Sequence, residues 1–226
     1  LYQLLLSVLL LLGSSGLVVA QFPAQCDANK ACIGNALTAQ VTSGRAAQYV
    51  DVDTSYRLAA LNTALTFEAW LKPQPQPGMR QFVGGLWGPN KDDNDQWVVY
   101  IEGTRIYFEL SADGTKLESA DNTIASVDVP DLYAGGWTHI AAVWESSGAA
   151  LIFVNGFQAA TATNANYPVT RLHPVANRNL QTQIGSCNGL YDDANRYRTF
   201  LGQIDEVRLW NRALSATEIR CQKDLS

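Results

Sequence analysis

The chain has 226 residues, 47% of them hydrophobic and 16% charged, with a formal net charge of -5. That length suits a single β sandwich with a real core. The mildly acidic balance leaves no basic footprint of the kind that holds nucleic acid or anionic lipid.

Residues Leu1 to Leu12 are almost wholly apolar. Gly13-Ser14-Ser15-Gly16 then interrupts the run, and Val18-Val19-Ala20 offers small residues before Gln21. The pattern predicts a secretory signal peptide over residues 1–20, with its charged start lying upstream, and hence a secreted or cell-surface protein with no membrane span after cleavage. An uncleaved anchor is the competing expectation, since spanning takes about 20 apolar residues. The Gly-Ser break and the cleavage-like site favour removal. Residues 21–43 follow as a polar lead-in carrying Cys26 and Cys32, and residues 44–226 as one domain. With Cys187 and Cys221 these make four cysteines, which in an exported chain point to disulfides. Cys26 with Cys32 and Cys187 with Cys221 is one pairing; stapling the two ends of the domain together is another. A zinc site lacks both Cys-x-x-Cys spacing and a nearby His.

From Leu65 onward the text reads as a series of strands. Leu65, Phe67, Ala69 and Leu71 fall on one face of a predicted strand, and Pro73 to Gly78 reads as a loop. Trp97 to Ile101 and Ile106 to Leu110 flank Glu102-Gly103-Thr104-Arg105, a hairpin signal. Trp137 to Trp144 is another strand. Ala150 to Val154 meets Phe157 to Thr161 across Asn155-Gly156, a dipeptide able to take positive φ at both turn positions. Leu201 to Trp210 is the last strand. Ser215-Ala216-Thr217-Glu218 then forms a capping box that opens one short helix. Many strands, regular turns and one late helix predict an all-β fold, a sandwich of two antiparallel sheets.

Several segments in register resemble the laminin-G-like jelly-roll family of the concanavalin A-like lectin/glucanase superfamily. They are Leu65 to Pro73, Gly136 to Trp144, Leu151 to Gly156, Ile184-Gly185 and Gly202 to Ser215. The resemblance implies a two-sheet jelly roll with a short C-terminal helix, and it places His139 in packed framework. Trp70, Trp97, Trp137, Trp144 and Trp210 lie on strands, where core packing is the default. Trp87, between Gly84-Gly85 and Gly88-Pro89, is the exception, a loop-edge aromatic able to stack on a ligand.

Relatives of this fold include glucanases, which set catalytic carboxylates on one strand face. The nearest text here is Gln203-Ile204-Asp205-Glu206-Val207. Gln203 cannot be a nucleophile, and alternation sends Asp205 and Glu206 to opposite faces. Neither Glu68 nor Glu109 has a carboxylate partner two or four residues away. The expectation is therefore a binding module, lectin-like or adhesive, that recognises a glycan or an extracellular protein through sheet-edge loops. A polysaccharide-degrading enzyme and a structural matrix component are the alternatives. Asn90 to Asp95 and the loop from Cys187 to Tyr197 gather Asp92, Asp93, Asp95, Asp192 and Asp193, oxygen donors that suit calcium. Pentraxins, which this region distantly resembles, hold calcium with two loops at roughly these places; a solvated acidic loop is the plainer reading. Trp87, Tyr191 and Tyr197 are the candidate ligand-stacking residues.

Overall fold

The computed structural model describes residues 37–39, 50–52, 64–87, 96–111, 113–114, 119–166, 168–172, 182–186 and 197–224. Among these residues, thirteen strands and one helix follow one another. The first six strands are β1 (Leu37–Ala39), β2 (Val50–Val52), β3 (Ala64–Pro73), β4 (Arg80–Leu86), β5 (Trp97–Glu102) and β6 (Arg105–Leu110). Then come β7 (Thr123–Asp128), β8 (Thr138–Glu145), β9 (Ala150–Val154) and β10 (Phe157–Ala162). The chain ends with β11 (Thr182–Ile184), β12 (Tyr197–Thr199), β13 (Gly202–Trp210) and α1 (Ala216–Asp224). The strands form a six-stranded sheet, in the order β1-β13-β3-β8-β9-β10, and a seven-stranded sheet, in the order β2-β11-β4-β5-β6-β7, with β12 paired to β4. Every pairing is antiparallel except β12 with β4. This is the expected jelly-roll sandwich with a single C-terminal helix.

The alternation of β3 fixes the core. Leu65, Phe67, Ala69 and Leu71 are buried against Val99, Phe108, Trp144 and Ile204 from both sheets, and the ring of Phe67 meets that of Trp97 with centroids 5.5 Å apart. Gly84 lets the sheets approach here, since a Cβ on it would sit 3.0 Å from the Phe67 ring. The one polar atom of Trp144 is satisfied, its Nε1 donating to the Val169 carbonyl at 2.7 Å. The Asn155-Gly156 turn takes φ of 51° and 82°, as its residue types demand. The capping box forms as read: Ser215 Oγ accepts from the Glu218 amide, and Glu218 Oε2 accepts from the Ser215 amide at 2.8 Å.

The lead-in contributes β1, paired with β13 through Leu37 and Ile204, and Gly84 and Gly85 lie inside β4. Two expectations are corrected. Trp137 precedes β8 and is 38% exposed, so it is not a core tryptophan. Strict alternation also fails at Asp205 and Glu206. A register shift follows Asp205, Glu206 sits at φ 49°, and its carboxylate accepts from Arg208 Nη2 at 2.7 Å.

Candidate functional site

The two outer faces of the sandwich differ. On the six-stranded sheet, Ala141, Val143 and Phe153 pack against Leu214 and against Ile219 of α1, so the chain covers this face itself. Beneath that cover Glu68 is buried. Its Oε2 accepts from Trp210 Nε1 at 2.7 Å, and its Oε1 stands 3.6 Å from His139 Nε2. His139 lies edge-on to Trp70, ring centroids 5.3 Å apart, and its amide donates to Asn155 Oδ1 at 3.0 Å. His139 is thus inside the framework, as the resemblance implies.

The outer face of the seven-stranded sheet is built in rows. Because β5 and β6 join through a two-residue turn with Gly103 at φ 60°, positions symmetric about that turn share a face. One row runs Arg80–Glu102–Arg105–Asp128 across β4 to β7, each residue in register with the next. Its charges alternate. Arg80 Nε donates to Glu102 Oε2 at 3.1 Å, and Thr104 Oγ1 donates to Asp128 Oδ1 at 2.6 Å. The next row runs Phe82–Tyr100–Tyr107–Ser126. Tyr100 and Tyr107 stack with centroids 4.7 Å apart and planes 3° from parallel, and the Arg80 guanidinium lies 5.4 Å from the Tyr100 centroid. A third row sets Val98 beside Glu109 and Ile124. The buried Glu109 accepts from Asn122 Nδ2 at 2.7 Å and from Tyr100 OH at 3.4 Å.

Burial divides this face. Phe82, Trp87, Val98 and Tyr100 are closed in one cluster, whereas Tyr107, Ile124 and Ser126 are half-buried and Arg105 and Asp128 exposed. Among the described residues the open half therefore offers one aromatic ring, Tyr107, with its first face on Tyr100 and the small Ser126 as its register neighbour on the other side. At its end the β5–β6 turn is pinned by Tyr133, whose hydroxyl donates to the Gly103 carbonyl at 2.7 Å. Burial pushes that phenol above its ordinary value, against a smaller opposing effect from Gln81.

Of the stacking residues expected from sequence, Trp87 is corrected: it is 1% exposed and packs with Phe82 and Tyr100, because β4 carries it onto the sheet. Tyr197 belongs to β12 and is in register with Arg80 at the end of the charged row; its side chain lies outside the described residues, as does the whole of Tyr191. Asp92, Asp93, Asp95, Asp192 and Asp193 also lie outside them, and no cluster of three or more metal-binding side chains occurs among the described residues. The stems of the two acidic loops are visible. The first leaves at Leu86 and returns at Gln96, whose amide donates to the Leu86 carbonyl at 3.0 Å. The second leaves after Ser186, beside Val83, and returns at Tyr197, beside Arg80. Along β4, Arg80 and Leu86 are roughly 20 Å apart at about 3.3 Å per residue. Cys221 is exposed on α1 with no cysteine partner among the described residues; Cys26, Cys32 and Cys187 lie outside them, as does the leader. No helix among the described residues is long and apolar enough to cross a membrane.

Sequence reasoning missed Tyr107, Arg105 and Asp128. Reflecting β5 onto β6 about Gly103-Thr104 would have found the first two, whereas β7 carries no alternation strong enough to reveal Asp128.

A family model described as the concanavalin A-like lectin/glucanases superfamily matches residues 43–220. No curated protein matches the chain in sequence. Among solved structures, the chain resembles the binding domain of botulinum neurotoxin DC in complex with SialylT, at TM-score 0.53 and 10% identity over 79% of this chain and 39% of that one. The same domain in complex with rat synaptotagmin II gives TM-score 0.53 and 10% identity over 79% and 40%. A structure of botulinum neurotoxin type C, whose cell entry is dependent upon interaction with two ganglioside molecules, gives TM-score 0.55 and 11% identity over 79% and 39%. The chain thus spans about two fifths of these toxin chains, and the likeness is one of fold.

Proposed function

This chain belongs to the concanavalin A-like lectin/glucanases superfamily, and we propose that it is an extracellular binding module that takes a glycan on the open half of its seven-stranded sheet. The observation that carries the reading is Tyr107. Its ring is held flat by the stack on Tyr100, has the small Ser126 as its β7 neighbour, and stands beside a row of guanidinium and carboxylate groups. A pyranose presents an apolar face of C–H bonds and a rim of hydroxyls, which such a ring and such a row complement. That the toxin domains of like fold are found with SialylT and with a protein receptor supports binding in general.

The buried carboxylates support binding over hydrolysis. Glu68 and Glu109 lie on the outer faces of different sheets, and stacked sheets are about 10 Å apart. A retaining pair needs about 5 to 5.5 Å. We keep calcium within the proposal as a separate element. Asp92, Asp93 and Asp95 supply the first set of oxygens and Asp192 and Asp193 the second.

Probing a glycan array with the purified chain, with and without chelator, tests the reading. Binding that disappears in Tyr107→Ala while the melting temperature stays near wild type is expected. A blank array with a folded protein, or undiminished binding by the variant, would sink it. Calcium has its own test: millimolar calcium raises the melting temperature by mass action, and Asp93→Ala or Asp193→Ala erases the rise. No shift removes calcium and leaves the sheet-face reading standing.

A protein partner is the second reading, favoured by one observation. Trp137 and Phe157, at 38% and 63% exposure, are the exposed large apolar side chains among the described residues. Both lie where the start of β8 meets the β9–β10 turn.

A further inference from the structure

We infer that the ligand of the open sheet face is an uncharged glycan, and that Asp128, beside Arg105, makes it so; the inference rests on the sheet-face reading above. Arg105 is the exposed cation of the charged row, and it stands in register between Glu102 on β5 and Asp128 on β7. Arg80, the other cation, is buried and already engaged by Glu102 at 3.1 Å and by the Tyr100 ring. What the row presents to solvent is therefore the Arg105 guanidinium beside the exposed Asp128 carboxylate, the Glu102 carboxylate on its other side being shared with Arg80 and 28% exposed. A sialylated or sulfated sugar drawn to Arg105 would bring its anion against Asp128, and like charges in direct opposition are unfavourable. A neutral pyranoside meets no such conflict. Its hydroxyls accept from the guanidinium and donate to the carboxylate, a donor and acceptor set that a polyol matches and an anion does not. Tyr107 takes the sugar's C–H face, while Ile124 and Ser126 bound the site on β7. The toxin domain of like fold is found with SialylT; the charged row assigns this chain the opposite preference.

The experiment compares neutral, sialylated and sulfated versions of the same glycans on one array, at low and high salt, using wild type, Tyr107→Ala and Asp128→Asn. Asparagine keeps the oxygen that accepts from Thr104, so the fold and the turn are retained, and a melting curve verifies this. Wild type is expected to bind neutral glycans with little salt dependence, because no net charge is neutralised. Asp128→Asn is expected to raise binding of the anionic versions roughly two- to fivefold, the size of an exposed charge contact. Preference of wild type for the anionic glycans, steep weakening with salt, or no gain in Asp128→Asn would overturn the inference while leaving the sheet face as the site. Absence of all glycan binding by folded wild type would overturn the sheet-face reading, and the inference with it.

Discussion

The outer face of the six-stranded sheet and that of the seven-stranded sheet begin alike, as rows of side chains on a half-exposed pleat, and end differently. The first receives the chain's own C-terminus. Trp210 bonds Glu68, Thr66 Oγ1 donates to the Arg212 carbonyl at 2.8 Å and accepts from the Leu214 amide at 2.9 Å, and Ile219 is buried over Ala141 and Val143. The second keeps a stacked tyrosine and exposed charges among its open positions. Polar groups on the covered face are committed to structure, whereas on the open half Arg105 and Asp128 stay exposed to solvent. Changes on the first face should therefore be read as stability, and changes on the second as binding.

The largest stability effect is expected from Ile219→Ala, which removes the one buried side chain of α1. A loss of about 2–5 kcal/mol should appear in denaturant unfolding, with glycan binding per folded molecule unchanged. Trp210→Phe comes next. It keeps an aromatic ring, though a smaller one, and removes the donor to the buried Glu68; an orphaned buried acceptor costs about 1–3 kcal/mol. A loss near zero would mean that Glu68 finds another partner. Ser215→Ala follows at about 1 kcal/mol, the usual worth of an N-cap. It should also weaken a pH effect. Hydrogen bonds from the Ser215 backbone and side chain, with a smaller contribution from Arg212, hold the Glu218 carboxyl below its ordinary value. A depressed folded value contributes stability that is fully present above about pH 4.3, the unperturbed glutamate value, and is lost as pH falls through the folded value. The melting temperature of wild type should therefore lose this increment on acidification, and Ser215→Ala, which keeps the backbone donor and Arg212 but not the hydroxyl, should lose a smaller one. On the open face, Tyr107→Ala gives up a tyrosine stack worth about 0.5–1.5 kcal/mol beyond the area that the ring buries. Its effect on binding, by contrast, is expected to be at least about tenfold, or roughly 1.4 kcal/mol. If Tyr107→Ala cost more stability than Trp210→Phe, the contrast between the faces would be lost.

The chain's own text carried the fold. Period-two alternation from Leu65 to Leu71 marks the core face because a pleated strand allows no other arrangement. Asn155-Gly156 and Ser215 to Glu218 are local devices whose geometry follows from residue type alone. Even the pairing of Tyr100 with Tyr107 follows from a two-residue turn at Gly103-Thr104. Local chemistry stops there. That Gly84 belongs inside a strand depends on Phe67 arriving from the opposite sheet, that Trp87 is closed in rather than offered depends on Phe82 and Tyr100, and that Asp128 completes the charged row depends on which strand becomes the neighbour of β6. Strand order and the approach of the sheets are long-range outcomes of packing, which no window of adjacent residues encodes. A site made of one residue from each of several strands therefore comes into being only when the sheet is assembled.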